Sequence, residues 1–100
     1  TGVSAALYDC LRRDNKAALK PCTNAAEQGH ADAQYILGTM YRNGDGVSQD
    51  YVMAHMLYNV ASANGSDAYR KVRDGIAELM TGEQIAEAQQ LAREWMERHP

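Results

Sequence analysis

The sequence predicts an all-α chain that folds as a short solenoid of two-helix repeats. Three observations support this prediction: the composition, a repeat of 36 residues, and apolar side chains spaced three and four residues apart. Sixteen alanines, no phenylalanine and two prolines among 100 residues favour helices over sheets. A chain of this length forms a single domain around one modest core.

The repeat becomes visible when the sequence is shifted by 36 residues against itself. An aspartate, two alanines and a glycine then meet residues of their own type, at Asp14 and Asp50, Ala18 and Ala54, Ala25 and Ala61, and Gly29 and Gly65. Small residues and turn residues are those that helix packing and helix ends constrain most strongly. Because one helical hairpin cannot bury its own apolar face, such copies must stack on one another.

The complete repeat is predicted to span residues 30–65. Its first helix covers about 32–42, with an inward apolar stripe at Ala33, Ile36, Leu37, Met40 and Tyr41. Gly38 would weaken an exposed helix by about 1 kcal/mol, so its presence indicates the close approach of a neighbouring helix. The Asn-Gly-Asp-Gly run at 43–46 ends this helix. The side chain of Val47 is expected to pack beneath this turn.

The second helix of this repeat is predicted to begin after Asp50, whose carboxylate can cap it, and to end at the Asn-Gly pair 64–65. Its inward stripe consists of Tyr51, Ala54, Leu57, Tyr58 and Ala61. A second apolar stripe lies beside the first, at Val52, Met53, Met56 and Val60. Either the first hairpin or the last helix covers this second stripe, or the stripe is a surface for a partner or for self-association.

An incomplete copy of the repeat precedes the complete one. Residues 1–29 are predicted to form a degenerate first hairpin, with one helix over about 3–12 and a second that starts at its cap, Asp14. Pro21 falls inside the second of these helices. Because proline lacks a backbone N–H and fixes φ, we expect a kink or a local irregularity there.

A further hairpin with a capping helix is predicted over residues 66–100. Its first helix covers about 67–80, and Thr81–Gln84 has the pattern of a capping box at the start of the next helix. The apolar side of this last helix consists of Ile85, Ala88, Leu91, Ala92 and Trp95. Its other side carries charged and polar residues, as the solubility of a terminal repeat requires.

Residues 25–51 closely resemble the Sel-one-like repeat family, and the resemblance extends over roughly residues 25–68. Members of this family are relatives of the tetratricopeptide repeat. The family pattern falls on Ala33, Leu37, Gly38, Tyr41, Gly44, Gly46, Val47, Asp50, Ala54, Ala61 and Gly65. The resemblance implies a right-handed α/α superhelix of about three hairpins and six helices, with a C-terminal capping helix. It also implies an adaptor that binds protein partners, in bacterial envelope assembly, host interaction and signalling or in eukaryotic protein quality control.

The resemblance places the first helices of successive repeats along the inner curve of the superhelix. Side chains on these helices that point away from the core are the candidate partner-binding residues, namely Gln34, Tyr35, Arg42, Tyr69, Arg70 and Arg73. Tyrosine and arginine are enriched among the residues that dominate binding energies. We therefore expect this concave surface to bind a peptide or a protein. The alternative functions are the C-terminal structural cap of a longer repeat scaffold and a small hydrolase.

The sequence contains no recognisable constellation of residues for catalysis, a cofactor or a metal ion, and we expect none. His30, His55 and His99 share no helical face with a carboxylate or a cysteine and are interpreted as surface histidines. The formal net charge of −3 argues against nucleic acid as a partner, because nucleic-acid binding requires a concentrated basic surface. No apolar run approaches the roughly 20 residues of a membrane-spanning helix, so no membrane insertion is expected.

Cys10 and Cys22 are the only cysteines, and their spacing of twelve fits neither a Cys-x-x-Cys redox motif nor a zinc ribbon. On two straight antiparallel helices they would be offset by roughly 6 Å along the axis. Such an offset is awkward for a disulfide, whose Cα atoms lie about 4.4–6.8 Å apart, but Pro21 could remove it by kinking the second helix. A Cys10–Cys22 disulfide is expected if the chain is periplasmic or secreted, and two free thiols if it is cytoplasmic.

Overall fold

The computed structural model describes residues 5–12 and 15–100, and within them it contains six α-helices and one short 3₁₀ helix. In chain order these are α1 (Ala5–Arg12), the 3₁₀ helix (Asn15–Ala18), α2 (Leu19–Glu27), α3 (Ala31–Asn43), α4 (Tyr51–Asn64), α5 (Asp67–Ala77) and α6 (Gly82–Arg98). No strand occurs in this part of the chain. The all-α prediction and the six predicted helices are confirmed.

The central helix of the fold is α4, because it packs against α3 and also against both α5 and α6. Its residues from Ala54 to Ala61 are buried, apart from the half-buried Asn59. A helix that is apolar on nearly every side is stable only in the interior of a protein. The other helices therefore assemble around α4.

The second apolar stripe of α4 belongs to the core. Met56 and Val60 are 4% and 0% exposed, and Val52 and Met53 are half-buried against the same cluster of side chains. That cluster also contains the apolar side of α6, at Ala88, Ala92 and Trp95. Of the two alternatives for this stripe, burial against the last helix is therefore the one observed. Its interpretation as a partner or self-association surface is wrong.

Gly38 lies at a close contact between α3 and α4. A Cβ atom added to Gly38 would lie 2.9 Å from Cε1 of Tyr58 and 3.3 Å from the carbonyl oxygen of Ala54. Real side chains do not tolerate the first of these distances, and the Tyr58 ring is fully buried and has little freedom to move. The predicted close approach of a neighbouring helix is confirmed.

The turn between α3 and α4 follows the predicted pattern. Gly44 takes the left-handed conformation, with φ of 74°, and its N–H donates to the Met40 carbonyl 2.8 Å away. Val47 is half-buried against the main core, as expected. Asp50 caps α4, since its carboxylate accepts a hydrogen bond of 3.1 Å from the backbone N–H of Met53.

The last hairpin differs from its prediction only in length. α5 ends at Ala77, a few residues before the predicted end, and a short turn leads to α6. The capping box is present: the Thr81 hydroxyl accepts from the Gln84 N–H at 3.1 Å, and the Gln84 side chain accepts from the Thr81 N–H at 2.9 Å. The start of α6 is therefore fixed by its own sequence.

The first hairpin is joined by the Cys10–Cys22 disulfide, whose Cα atoms lie 4.5 Å apart and whose side chains are buried. The expected axial offset does not arise, because α2 begins only at Leu19 and Cys22 is the fourth residue of that helix. The 3₁₀ helix before Leu19 is the local irregularity expected near Pro21. Pro21 itself lies in the first turn of α2, where a backbone N–H has no intrahelical acceptor. The predicted cap Asp14 lies outside the described residues.

Replacing Gly38 by alanine should lower the free energy of unfolding by about 1–3 kcal/mol, because the new methyl group would meet the Tyr58 ring and the Ala54 carbonyl. Urea denaturation measures this change. Gly75→Ala is the matched control, since Gly75 is also helical and a Cβ there meets no atom within 4 Å. The control should be unchanged or up to about 1 kcal/mol more stable. Equal effects of the two substitutions would contradict the close approach of α3 and α4.

Removing the disulfide with the Cys10→Ala/Cys22→Ala double substitution should lower the free energy of unfolding by about 3 kcal/mol, since the crosslink restricts the unfolded chain. Urea unfolding with and without reductant provides the comparison. Reductant should destabilise the natural sequence and leave the double variant unchanged. Two free thiols titrated in the denatured, unreduced protein would rule the disulfide out.

Candidate functional site

Three tyrosines from three successive helices form a cluster where α3, α4 and α5 meet. The ring centroid of Tyr35 on α3 lies 5.6 Å from that of Tyr58 on α4 and 5.3 Å from that of Tyr69 on α5, with which it stacks. Tyr58 is fully buried, whereas Tyr35 and Tyr69 are half-buried. These three side chains, here called the tyrosine cluster, connect the complete repeat to the last hairpin.

Two hydroxyl groups of the tyrosine cluster have partners on α3. The Tyr58 hydroxyl lies 2.8 Å from Oγ1 of Thr39, and the Tyr69 hydroxyl donates to the carboxylate of Asp32. The hydrogen bond to Asp32 raises the pKa of Tyr69 to about 12, and burial raises the pKa of Tyr58. Both phenols therefore stay neutral near pH 7 and act as hydrogen-bonding groups.

The glycine that ends the complete repeat makes room for the tyrosine cluster. A Cβ atom on Gly65 would lie 2.8 Å from Cε2 of Tyr69 and 2.9 Å from Cβ of Ala31. The turn before α5 can therefore approach the start of α3 only because residue 65 has no side chain. Gly65, one of the residues that recur with the 36-residue repeat, thus allows Tyr69 to lie beside Tyr35.

The tyrosine cluster lies on a surface formed by α3 and α5, here called the α3–α5 face. On α3 the face contains Tyr35, Thr39 and Arg42, whose spacings of four and three residues place them on one side of the helix. On α5 it contains Tyr69 and Arg73, four residues apart. Arg42 is exposed and the other four side chains are half-buried. The face combines aromatic rings with guanidinium groups, as the centres of protein interfaces often do.

Tyr35, Arg42, Tyr69 and Arg73 are thus four predicted partner-binding residues that the fold brings to one surface. The Arg73 guanidinium is fixed there, since it donates to Oδ1 of Asn59 at 2.7 Å and to the Asp74 carboxylate at 2.9 Å. Arg70 lies beside the face, exposed, with an ion pair of 3.7 Å to Asp67 one turn earlier on α5. Exposed pairs of this kind contribute little to stability, so Arg70 is free to rearrange.

Gln34 does not lie on the α3–α5 face, and its prediction as a partner-binding residue is wrong. Its side chain is fully buried, donates to the Ala26 carbonyl at 3.0 Å and accepts from the Asn64 side-chain amide at 3.2 Å. A buried amide requires such partners, because it has lost its hydrogen bonds to water. Gln34 therefore ties the ends of α2 and α4 to α3.

His55 is also buried, at 3% exposed, so its interpretation as a surface histidine is wrong. It lies four residues after Tyr51 and three before Tyr58, a spacing that could have placed it on an inward side of α4. Its Nδ1 is buried and has no hydrogen-bond partner among the described residues. Burial lowers the pKa of His55, and the positive charge of Arg73 lowers it further.

The other two histidines are half-buried at helix ends. His30 is the residue that precedes α3, at its N-cap position. His99 stacks on Trp95 with ring centroids 4.6 Å apart, and its Nδ1 lies 2.8 Å from the Trp95 carbonyl oxygen. In residues 5–12 and 15–100, no three His, Cys, Asp or Glu side chains come together as metal ligands would. None of the helices in these ranges is long and apolar enough to cross a membrane.

Comparison with known proteins identifies the repeat. The Sel1 repeat matches residues 31–66 and 75–98, which include all of α3, α4 and α6. The chain belongs to the Sel1 repeat family. The first hairpin lies outside both matched segments. No curated protein matches the chain.

A solved structure with a Sel1-like repeat (SLR) fold is similar to this Sel1 repeat chain. It is the crystal structure of a protective antigen present in uropathogenic Escherichia coli strains, and it shares 32% sequence identity with a TM-score of 0.81. The similarity covers 86% of this chain but 19% of the antigen, so the chain spans about a fifth of the antigen's length. The Sel1 repeat and the SLR fold are those of a protein-interaction repeat module.

Acidification should destabilise this protein through His55. A histidine whose folded pKa is lowered contributes stability that is present above its unfolded pKa, here 6.5, and is lost as the pH falls through the folded value. Below pH 6.5 the free energy of unfolding should therefore fall more steeply in the natural sequence than in a His55→Gln variant. The difference in slope approaches about 1.4 kcal/mol per pH unit, the limit for one proton. Urea denaturation between about pH 7.5 and 5 measures both profiles, and parallel profiles would contradict the role of His55.

Proposed function

We propose that this Sel1 repeat chain is an interaction module that binds a peptide or protein partner across the α3–α5 face. The observation that carries the proposal is the stack of Tyr35 on Tyr69, because it joins two successive first helices through side chains that remain partly accessible. Tyrosine offers a large amphipathic contact area and loses little conformational entropy when it is fixed.

The half-buried rings are held in place before any partner arrives. Tyr35 lies between Tyr58 and Tyr69, and the hydroxyl of Tyr69 is fixed by Asp32. The Arg73 guanidinium is fixed by its hydrogen bond to Oδ1 of Asn59 on α4. A surface that is ordered in advance loses less entropy on binding, so more of the contact energy appears as affinity.

Selection of binders from a random peptide library displayed on phage tests this proposal. Recovered peptides should bind the natural sequence and lose affinity at least about tenfold when Tyr69 is replaced by alanine, the loss expected for a central aromatic contact. Tyr8→Ala is the matched control, since Tyr8 is 57% exposed on α1 and should not contribute. Circular dichroism confirms that both variants remain helical.

The proposal fails if no peptide binds the natural sequence, or if the recovered peptides bind Tyr69→Ala and the natural sequence equally well. Equal losses in Tyr69→Ala and Tyr8→Ala would also overturn it, because the peptides would then recognise tyrosine anywhere on the surface.

A second role, as a segment or C-terminal cap of a longer repeat scaffold, is favoured by the length of the matched antigen, of which this chain covers 19%. The outward side of α6 carries exposed polar and charged residues (Glu83, Glu87, Gln90, Arg93, Glu97), as a terminal repeat requires. The two roles are compatible, because the α3–α5 face does not include the outward side of α6.

We place the chain in an oxidising compartment, periplasmic or extracellular. The support for this placement is the buried Cys10–Cys22 disulfide, because thiols are kept reduced in the cytoplasm.

A further inference from the structure

Arg42 is the exposed end of a continuous row of side chains on α3. Tyr35, Thr39 and Arg42 follow one another along one side of the helix, and the row leads from the Tyr35–Tyr69 stack to the last turn of α3. The row therefore ends in a guanidinium group beside aromatic rings and a hydroxyl.

A pair of hydroxyl groups lies beside this guanidinium. The Thr39 and Tyr58 hydroxyls are 2.8 Å apart. Thr39 belongs to the row on α3, and Tyr58 extends to it from the neighbouring helix α4. Burial raises the pKa of Tyr58, while the hydrogen bond to Thr39 and the positive charge of Arg42 oppose that shift. The Arg42 guanidinium is thus close enough to the Tyr58 hydroxyl to lower the pKa of that hydroxyl.

Within the part of the chain that the structure describes, the charge of Arg42 is not compensated by a carboxylate. The two neighbouring arginines are paired on their own helix, Arg70 with Asp67 at 3.7 Å and Arg73 with Asp74 at 2.9 Å. No described carboxylate lies within ion-pair distance of Arg42. Among residues 5–12 and 15–100, the α3–α5 face therefore carries one positive charge, that of Arg42, with no carboxylate at ion-pair distance.

We infer that Arg42 binds a carboxylate of the partner, so that the α3–α5 face selects an acidic peptide whose neighbouring apolar residues lie on the tyrosine cluster. This inference rests on the proposed function and names the chemistry of the partner. A guanidinium group binds a carboxylate through two parallel hydrogen bonds, which makes such a contact both strong and specific. The aromatic rings supply contact area that does not depend on charge.

Arg42 also has an alternative, purely structural role. It lies in the last turn of α3, where a positive charge stabilises the partial negative charge of the helix end. This role would affect the stability of the fold but not the choice of peptide. The test must therefore compare peptides that differ only in charge.

The probe is a random decapeptide phage library, selected in parallel on the natural sequence and on Arg42→Gln at physiological salt. Peptides selected on the natural sequence should be enriched in Asp and Glu, and the enrichment should disappear with Arg42→Gln. A recovered peptide is then synthesised in its Asp form and in the matching Asn form. Arg42→Gln should weaken the Asp form about tenfold or more and leave the Asn form unchanged.

Two further variants separate specific recognition from general charge. Arg42→Lys keeps the charge but not the two parallel hydrogen bonds, so the affinity of the Asp form should lie between those of the natural sequence and Arg42→Gln. Arg93→Gln removes an exposed arginine from α6, outside the α3–α5 face, and should leave both peptides unaffected.

Tyr69-dependent binders without enrichment in acidic residues would overturn the inference and leave the proposed function standing. Equal losses for the Asp and Asn forms in Arg42→Gln would also overturn it, because Arg42 would then act only on the fold. The absence of any Tyr69-dependent binder would overturn both the inference and the proposed function.

Discussion

Between Gly38 on α3 and Tyr58 on α4 there is no space for a single additional carbon atom, and this contact sets the distance between the two helices. α4 also packs against α5 and α6, so its position determines where the last hairpin lies. Burial of one large side chain such as Tyr58 or Leu57 contributes about 1.5–3 kcal/mol. Because so many of these side chains lie on α4, the fold depends on this helix being held on several sides at once.

The surface that binds a partner in our proposal is a consequence of the same packing. The ring of Tyr58 fills the contact with Gly38 and also lies against Tyr35, which in turn stacks on Tyr69. Gly65 brings Tyr69 within reach of that stack. Gly38 and Gly65 thus position the half-buried Tyr35 and Tyr69. The surface is rigid because the Tyr35 ring packs on the buried ring of Tyr58.

Much of this fold could be predicted from the sequence, because helix ends and close contacts leave local signals. The capping box at Thr81 has a purely local explanation. A glycine inside a helix, as at position 38, indicates the close approach of a neighbouring element even before that element is known. Polarity predicts exposure for Gln34 and His55, whereas both side chains are buried by neighbours that only the stacking of helices supplies. The sequence leaves two alternatives for the second apolar stripe of α4 for the same reason, because periodicity identifies a helix face but not the element that covers it.

Native-state hydrogen exchange of the backbone amides tests the central claim, that α4 is the helix on which the others depend. If the claim is correct, the amides of α4 exchange slowest, with a free energy equal to that of global unfolding. The amides of α1, which packs mainly against α2, should exchange through smaller openings. Amides of α4 that exchange faster than those of α2 and α3 would contradict the claim.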